Sequence, residues 1–315
     1  MGNETLHIVL SLQDKEGDYS QHTAVVMASI MANTKEKICF HIFSDDTLAE
    51  GNKRKLTNMV RKKEQAIVFH QIELDLAPEA INAVKYISMG TLFRLKIADE
   101  LKDVSRALYL DGDIVVNLDV AELFATDLKD KAIAAVIDAG TKKNPKLYNL
   151  HIPVKVDHYF NAGVILFDLA KIREHYPNLA ADCLGIIKEN PKDYFTDQSA
   201  LNHFLQDDCL FIDEKYNSFP SEAKDDLDRV CIWHFAGGYK PWKMRKYKID
   251  MLYWLYFRLT PWGTDDDEVF KLYSGTVAPL DDALLTYPIS SRRKFFKNTT
   301  KRIFAELKKL FKQFI

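Results

Sequence analysis

Apolar runs and amphipathic stretches alternate along the first quarter of the chain. Three short runs rich in Val, Ile and Phe, each bounded by polar clusters, predict strands over residues 6–12, 37–44 and 66–74. The stretches between them, at about 19–33 and 47–64, have apolar residues at helical spacing. This order of strands and helices predicts a parallel sheet with helices on its faces.

The same alternation continues further along the chain. A helix is predicted over about 90–101, in GTLFRLKIADEL, and a strand in RALYL, residues 106–110. Further strands are predicted over 132–138, 162–168 and 230–235, and further helices near 170–189 and 196–206. Ligands of such sheets gather at the carboxyl ends of strands. Two carboxylates, Asp111 and Asp113, follow RALYL directly and therefore occupy such an end.

The Asp111 and Asp113 pair has two interpretations. On an extended chain residues two apart point the same way, and Gly112 between them allows close backbone approach, so both carboxylates can face one ligand. Hard oxygen ligands suit Mg²⁺, Mn²⁺ or Ca²⁺. Asp-Gly is also a common hairpin dipeptide, so the spacing alone leaves a turn and a metal site both open. Unlike the other acidic clusters, this pair has apolar sequence on both sides.

Three later segments contain further candidate residues. In CIWHFAGGYKPW, His234 can ligate a metal, and Lys240 with the glycine backbone can hold a phosphate. A core histidine and a solvated lysine are the alternatives. Asn161 precedes the apolar run of FNAGVILFDL, whereas Asp197 and Gln198 stand at the start of a predicted helix in FTDQSALNHFL. A turn residue and a helix cap are the structural alternatives there.

Composition places the chain among globular proteins with a sizeable core. It has 315 residues, of which 47% are hydrophobic, enough for one large domain or two ordinary ones. The four cysteines are widely spaced, without a Cys-x-x-Cys pair, which favours reduced core thiols over a zinc site or disulfides and indicates a reducing compartment. Neither an export signal nor an apolar stretch of about 18 residues is evident in the sequence.

Positive charge is concentrated at the end of the chain. Residues 291–315 contain nine Lys or Arg and one Glu, whereas the whole chain has a net charge of −2. Six apolar residues of this tail share one predicted helix face: Ile303, Phe304, Leu307, Leu310, Phe311 and Phe314. A basic amphipathic helix of this kind can lie on an anionic membrane surface, or it can pack on the body of the protein or on a partner.

The ordered segments YLDGDIVV, FNAGVILFDL, TDQSALN and HFAGGYKPW, with GTLFRLKIADEL ahead of them, resemble glycosyltransferase family 8. The resemblance runs from about residue 6 to 245. It implies the α/β GT-A fold, a Rossmann-like mixed sheet flanked by helices, followed by a small helical C-terminal element. We expect a catalytic domain over 1–258, an extension over 259–290 and a basic amphipathic tail over 291–315.

The resemblance also implies a retaining transfer of a hexose from a UDP-sugar, with Mn²⁺ bridging the protein and the diphosphate. The donor would be UDP-glucose or UDP-galactose, and the acceptor a glycan or a lipid-linked saccharide. Asp111, Asp113 and His234 match the metal ligands, for which Mg²⁺ is the alternative ion. Lys240, with Gly237 nearby, matches the contact to the diphosphate.

The remaining matches surround the sugar and the nucleotide. Arg94 matches an arginine that reaches the donor sugar, and Asp111 also reaches it. Asn161, Asp197 and Gln198 match polar residues around that sugar, and the last two are the candidate catalytic residues. The nucleotide side is assigned to Ser11, Gln13, Tyr19 and Ser88, and the acceptor side to Asp138. The first loop, LQDKEGDYSQH, is longer than in some members of the family.

Chemistry and composition lead to further expectations. No Asp or Glu nucleophile is evident and Gln198 is a poor one, so we expect same-face attack, with the leaving phosphate taking the proton of the acceptor. A metal-dependent nucleotidyltransferase and a non-catalytic sugar- or lipid-binding protein are the rival interpretations. We expect no nucleic acid partner. The resemblance of the basic tail to the C-termini of lipid-acceptor members of the family implies a cytoplasmic protein that is peripheral at the inner face of a membrane.

Overall fold

A seven-stranded sheet lies at the centre of the protein. The computed structural model describes residues 5–76, 88–144, 148–223, 229–243 and 249–263. The strands in chain order are β1 (Leu6–Leu12), β2 (Ile38–Ser44), β3 (Ala66–Gln71), β4 (Arg106–Leu110), β5 (Ile114–Val116), β6 (Ile133–Ile137), β7 (Phe160–Asp168), β8 (Cys209–Phe211) and β9 (Ile232–His234). β5 and β9 pair with each other as a separate two-stranded ribbon, and the other seven form the central sheet.

Helices cover both faces of this sheet. They are α1 (Tyr19–Asn33), α2 (Glu50–Arg61), α3 (Met89–Leu92), α4 (Ile97–Glu100), α5 (Val120–Phe124), α6 (Ala139–Lys143), α7 (Leu169–His175), α8 (Leu179–Glu189), α9 (Asp197–Leu205), α10 (Pro220–Ala223) and α11 (Asp250–Phe257). Short 3-10 turns stand at Phe93–Lys96, Val156–His158, Gln206–Asp208 and Glu214–Tyr216.

The order of the strands is β3-β2-β1-β4-β7-β6-β8. β7 pairs antiparallel with both β4 and β6, whereas the other pairings in the sheet are parallel. The predicted mixed, Rossmann-like α/β sheet is therefore confirmed. The antiparallel β7 brings its first residues beside the last residues of β4, because the two strands run in opposite directions.

Alternate residues of the strands pack into two different apolar layers. In β1, Ile8 and Leu10 face a core that includes residues of α1 and α2, whereas Val9 faces a core that includes residues of α7, α8 and α9. Because side chains alternate across a strand, a sheet covered on both faces has near-continuous apolar strands, which is what LHIVLSL shows. The central strands are held rigidly from both sides.

Among the segments that differ from the sequence prediction, three have an evident physical reason. The predicted helix over about 90–101 is divided into α3, a 3-10 turn and α4, and the side chain of Arg94 donates to the Thr91 carbonyl within it. The predicted helix over 170–189 is two helices, because Pro177 follows α7 and a residue before proline disfavours helical backbone. The three-residue β8 was not predicted, since a strand that short has no visible period.

The last described helix, α11, packs on α1. Nδ1 of His22 and the hydroxyl of Tyr253 are 2.6 Å apart, and Asn33 lies 2.8 Å from the hydroxyl of Tyr256. Most of the extension expected over 259–290 and all of the tail over 291–315 lie outside the described residues, which end at 263. Within the described part of the chain, no helix has the length and apolar character that crossing a membrane requires.

Candidate active site

The ends of β4 and β9 bring two carboxylates and an imidazole together. β4 ends at Leu110, one residue before Asp111, while β5 pairs with β9 so that Ile114 is opposite His234. Nε2 of His234 lies 3.6 Å from Oδ2 of Asp111 and 3.3 Å from Oδ1 of Asp113. Within the described residues, these three side chains form one of two groups whose ligand atoms could hold a metal ion.

A hydrogen bond at Nδ1 of His234 determines that the other ring nitrogen, Nε2, faces the carboxylates. Nδ1 of His234 is 2.9 Å from Oδ1 of Asn217, and the amide nitrogen of Asn217 donates to Oδ1 of Asn161 at 2.8 Å. Because an amide oxygen only accepts, Nδ1 carries the proton of a neutral His234 ring and Nε2 has the lone pair. A histidine that ligates a metal is usually held by such an outer partner.

Lys240 compensates the second carboxylate. Its ammonium group donates to Oδ2 of Asp113 at 2.5 Å and to the Phe235 carbonyl at 2.6 Å. Burial on its own would raise the pKa of Asp113, but the ammonium group of Lys240 holds that pKa well below its usual range. Asp113 is therefore ionised, with a cation on one of its oxygens and an imidazole beside the other.

Arg94 compensates the first carboxylate. Its Nη2 lies 2.9 Å from Oδ1 of Asp111, which also accepts from the hydroxyl of Tyr109 at 2.7 Å. The guanidinium is buried, stands 4.6 Å from the centre of the Tyr109 ring, and donates to the carbonyl of Ala162 and to both oxygens of Thr91. These contacts fix one orientation of Arg94.

Arg94 also faces a second buried acid, Asp197, at the start of α9. Nε of Arg94 is 3.0 Å from Oδ2 of Asp197, yet its hydrogen is directed to the Thr91 carbonyl. Oδ2 of Asp197 therefore has a nearby charge but no hydrogen bond from any described residue. Burial raises the pKa of Asp197 to about 6, against the opposing effect of Arg94 and with the support of Asp111.

Three further sequence candidates form a hydrogen-bonded cluster beside Asp197. Oδ2 of Asp138 accepts from Asn161 at 3.0 Å and from Gln198 at 3.3 Å, while Oε1 of Gln198 accepts from the Ala162 amide at 2.9 Å. Asn161 and Asn217 join this cluster to His234. The helix-cap interpretation is wrong for Asp197, because Thr196 holds the N-cap position of α9, whereas Asp138 does cap α6.

Gly163, in β7, makes room for the convergence. A Cβ atom on it would lie 2.2 Å from Cε1 of His234 and 2.9 Å from Oδ2 of Asp111, distances that side-chain carbons do not adopt. The backbone amide of Asp111 donates to the Gly163 carbonyl at 2.9 Å, which keeps the two strands at this spacing. The site therefore requires glycine at position 163, because no side chain fits between this strand and His234.

The residues assigned to the nucleotide side lie around the end of β1. Ser11 is buried in β1, and Gln13 donates to Asp45 at 2.6 Å. Ser88 and Gln13 both border Gly90, where a Cβ would lie 3.1 Å from the Gln13 Cβ and 3.2 Å from the Ser88 hydroxyl. These residues share one edge of the sheet with the carboxylate pair.

Tyr19 fills the space beside Gly112. A Cβ on Gly112 would lie 2.8 Å from Cε1 of Tyr19, so the glycine between the two aspartates accommodates this ring. Burial, followed by the charges of Asp113 and Asp111, raises the pKa of Tyr19 well above its usual value. Tyr19 is therefore a neutral phenol against the carboxylate pair.

The segment after β9 folds back on α1. Gly237 has a φ of +75°, in the left-handed region that favours glycine, and the turn there returns Lys240 to Asp113. Trp242 stacks on His22 with ring centres 3.8 Å apart. Burial, followed by repulsion from Lys240, lowers the pKa of His22 to about 3, so this ring is neutral.

Sequence reasoning missed four residues of this arrangement: Tyr109, Gly163, Asn217 and His22. Tyr109 and Gly163 lie in the motifs YLDGDIVV and FNAGVILFDL, where both look like ordinary strand residues. For Gly163, the available signal was a glycine in an otherwise apolar strand. Asn217 and His22 lie in segments where no local pattern distinguishes them. Their roles come from contacts between distant parts of the chain.

The donor set fits a hard divalent cation. Nε2 of His234 lies 3.3–3.6 Å from a carboxylate oxygen of Asp113 and of Asp111, and one ligand atom from each of the three residues lies within 4.8 Å of the others. Three acceptor atoms this close repel unless a positive species lies between them. Two carboxylates and one imidazole are ligands that Mn²⁺ accepts.

Known sequences resemble this chain over most of its length. The sequence profile of the family described as Glycosyl transferase family 8 matches residues 7–246. General stress protein A of Bacillus subtilis is 26% identical over 83% of this chain and 96% of its own length. The lipopolysaccharide 1,3-galactosyltransferase of Salmonella typhimurium is 29% identical over 69% of this chain and 67% of its own length.

Solved structures share the fold of this chain. The galactosyltransferase LgtC, solved with donor and acceptor sugar analogues, superposes with a TM-score of 0.67 at 25% identity, over 84% of this chain and 98% of its own. The Streptococcus pneumoniae glycosyltransferase GlyE shares the fold with a TM-score of 0.62 at 18% identity, over 91% of this chain and 65% of its own. With the family profile covering most of the residues, from the first strand to the segment after Lys240, the chain belongs to glycosyltransferase family 8, and its fold is GT-A.

Proposed function

We propose that the protein is a retaining hexosyltransferase that uses UDP-glucose or UDP-galactose and Mn²⁺. The observation that carries this proposal is the convergence of Asp111, Asp113 and Nε2 of His234, with Lys240 beside them. Bound by these three residues, Mn²⁺ would supply a Lewis acid that offsets the negative charge of the departing UDP.

Lys240 binds the diphosphate in this proposal. An ammonium group has three hydrogens, and described residues account for two of them, through Asp113 and the Phe235 carbonyl. The third is available to a phosphate oxygen beside the carboxylate pair. A fixed cation at that point stabilises the charge that develops on the phosphate as the sugar leaves.

Arg94 and Asp197 hold the donor sugar. Oδ2 of Asp197 is buried without a hydrogen bond from any described residue, so a sugar hydroxyl is a suitable donor to it. Arg94 is fixed by Thr91 and Ala162 and spans the gap between Asp111 and Asp197. The pair therefore positions the sugar relative to the carboxylates through geometry that exists before the substrate binds.

The acceptor hydroxyl attacks the anomeric carbon from the face that the phosphate leaves. The bond from that carbon to the phosphate oxygen breaks, the bond to the acceptor oxygen forms, and the leaving phosphate takes the acceptor's proton. The amide of Gln198 is engaged at both ends, with Ala162 and Asp138, and Asp197 faces Arg94. The Gln198 amide is therefore held and is a poor nucleophile, and in this proposal Oδ2 of Asp197 binds a hydroxyl of the donor sugar, which supports direct same-face transfer.

This route predicts that no hexose becomes attached to the chain. Intact-protein mass spectrometry of enzyme incubated with Mn²⁺ and the UDP-sugar, without acceptor, is expected to show only the unmodified mass. A mass increase of one hexose, mapped to Asp197 or Gln198, would contradict same-face transfer. Denaturation with acid immediately after mixing captures any short-lived adduct.

The relatives support a hexose donor and a saccharide acceptor. They include the Salmonella lipopolysaccharide galactosyltransferase and a lipopolysaccharide 1,2-glucosyltransferase of Escherichia coli, 26% identical over 79% of this chain. In this chain Asp138 is buried within hydrogen-bond reach of Gln198 and Asn161. We assign it to the acceptor side, and we propose a glycan or lipid-linked saccharide as the acceptor.

A donor panel tests the proposed activity. The protein is incubated with UDP-glucose, UDP-galactose, UDP-N-acetylglucosamine and UDP-xylose, with Mn²⁺ or with EDTA, and released UDP is measured. We expect metal-dependent UDP release from one of the two hexose donors. Asp113→Asn should lower UDP release by more than about 10–100-fold, the usual effect of losing a residue that only orients a metal ligand. The larger effect is expected because Asp113 is itself a ligand.

Two outcomes of the panel would contradict the proposal. Absence of UDP release from every donor, in protein shown to be folded by circular dichroism, would favour a non-catalytic binding protein. Turnover of UTP with a sugar 1-phosphate, releasing pyrophosphate instead of UDP, would indicate a nucleotidyltransferase. Full activity of Asp113→Asn would show that the metal assignment is wrong.

Gly163→Ala tests the steric basis of the site. The added Cβ would overlap His234 and crowd Asp111, so we expect UDP release to fall at least about tenfold and to need more Mn²⁺ for half-saturation. Gly185→Ala is the matched control, because a Cβ there meets nothing within 4 Å and lies within α8. Equal activity of the two variants would refute the steric argument.

The basic tail is the proposed membrane contact. Its sequence places nine Lys or Arg residues and an apolar face in residues 291–315, and each basic residue near an anionic surface contributes about 1 kcal/mol. Deletion of 291–315 is expected to abolish sedimentation with vesicles containing phosphatidylglycerol and to leave UDP release unchanged. Replacing Lys308, Lys309 and Lys312 by Gln should weaken sedimentation while keeping the apolar face.

Pure phosphatidylcholine vesicles are the control for charge. If the deleted protein still sediments with anionic vesicles, the tail is not the membrane contact. If the deletion instead unfolds the protein, the tail packs on its body, which is the alternative interpretation of the amphipathic pattern.

A further inference from the structure

A second group of metal-ligating side chains lies on the same sheet, on strands β1 and β2. His7 and Cys39 are register partners on these adjacent parallel strands, and His41 follows two residues after Cys39. Side chains two apart on a strand share a face, so all three project from one side of the sheet. One ligand atom from each lies within 4.8 Å of the others.

The imidazoles of this group contact one another through hydrogen bonds. Nδ1 of His7 is 2.9 Å from Nε2 of His41, and Nδ1 of His41 is 3.0 Å from Nε2 of His70, on β3. Ring nitrogens of a tetrahedral zinc site lie about 3.3 Å apart, given zinc–nitrogen bonds of about 2.0–2.1 Å. To bind an ion, the two nitrogens must therefore move apart by about 0.4 Å, and both rings must turn so that their lone pairs face a common point.

We propose that His7, Cys39 and His41 bind a borderline-soft divalent cation, for which Zn²⁺ is the best match. One thiolate and two imidazoles form the ligand set that zinc favours, whereas hard ions such as Mg²⁺ and Ca²⁺ require oxygen. The group contains no carboxylate, so it differs in chemistry from the site at Asp111. This inference does not depend on the proposed transferase activity.

His70 completes the site as an outer partner. A ligating histidine usually donates its other ring N–H to a neighbouring acceptor, which fixes the ring and its tautomer. With Nε2 of His41 directed to the ion, Nδ1–H of His41 donates to Nε2 of His70.

Cys39 differs from the other cysteines in being accessible. Cys183, Cys209 and Cys231 are buried, whereas Cys39 is half-buried, and Val68, the register partner of His41 on β3, is 42% exposed. An ion can therefore reach the thiol from solvent. Binding releases one proton, that of the Cys39 thiol, while His7 moves its own hydrogen from Nδ1 to Nε2.

The location suggests a structural function. His7 and Cys39 are the second residues of β1 and β2, near the amino ends of these strands, whereas Asp111 follows the carboxyl end of β4. An ion there would join two neighbouring strands far from the reacting atoms. Ligands that bind only the folded chain raise its stability by mass action.

Cobalt absorption tests the site in the full-length protein. Co²⁺ bound to a thiolate gives an intense near-ultraviolet charge-transfer band, which oxygen and imidazole ligands at Asp111, Asp113 and His234 cannot produce. We expect this band to appear on addition of Co²⁺, to be bleached by Zn²⁺, and to be lost in Cys39→Ala. Cys209→Ala, which removes a thiol from β8, should keep it.

Two further variants separate ligation from folding. His70→Ala should keep the thiolate band but weaken Co²⁺ binding by roughly 10–100-fold, as loss of an outer partner does. His7→Gln should weaken binding at least about tenfold. UDP release and the circular dichroism of every variant should match the wild type. A missing thiolate band in the wild type, or an undiminished band in Cys39→Ala, would overturn the proposal.

Discussion

Mutual repulsion among three converging acceptors is the constraint around which the site is organised. Asp111, Asp113 and Nε2 of His234 face one another in a largely buried setting, where unpaired charge is expensive. Each carboxylate has its own cation, Arg94 for Asp111 and Lys240 for Asp113. The carboxylate oxygens that face His234, together with its Nε2, remain available to bind a divalent ion.

The fold supplies this arrangement from four separate segments. The antiparallel β7 enters between β4 and β6 and places Gly163 against Asp111, while the β5–β9 ribbon sets His234 beside Asp113. Pairing of the ribbon continues beyond the strands, since the amide of Phe235 donates to the Asp113 carbonyl at 3.0 Å. Backbone hydrogen bonds therefore set the spacing of the ligands, and their side chains need little reorganisation to bind.

Much of this could be predicted from the sequence, because the strongest signals are local. The apolar runs of β1, β2 and β4 and the helix α1 stand within a residue or two of their predicted bounds, since both faces of the sheet are covered and burial enforces the pattern. The Asp-Gly-Asp segment and the His-to-Lys segment after β9 were visible as motifs. Their meeting in space was expected from a family resemblance, not from spacing.

The rest depends on contacts that no local pattern encodes. Asn217 orients His234 through a hydrogen bond across 17 residues, and Tyr19 occupies the space beside Gly112 that the sequence analysis assigns to the approach of a ligand. The breaks in the helices near Arg94 and Pro177 follow from a side-chain bond and a proline. Reading the cysteines as core thiols likewise missed the row of imidazoles beside Cys39, which forms only when three strands align.

Anomalous scattering from a crystal grown with Mn²⁺ and UDP tests the central claim most directly. The structure predicts one strong manganese peak bounded by Asp111, Asp113 and Nε2 of His234, with a diphosphate oxygen next to it and the Lys240 ammonium in contact with the diphosphate. A peak located elsewhere, or UDP bound with no manganese between these three side chains, would contradict it.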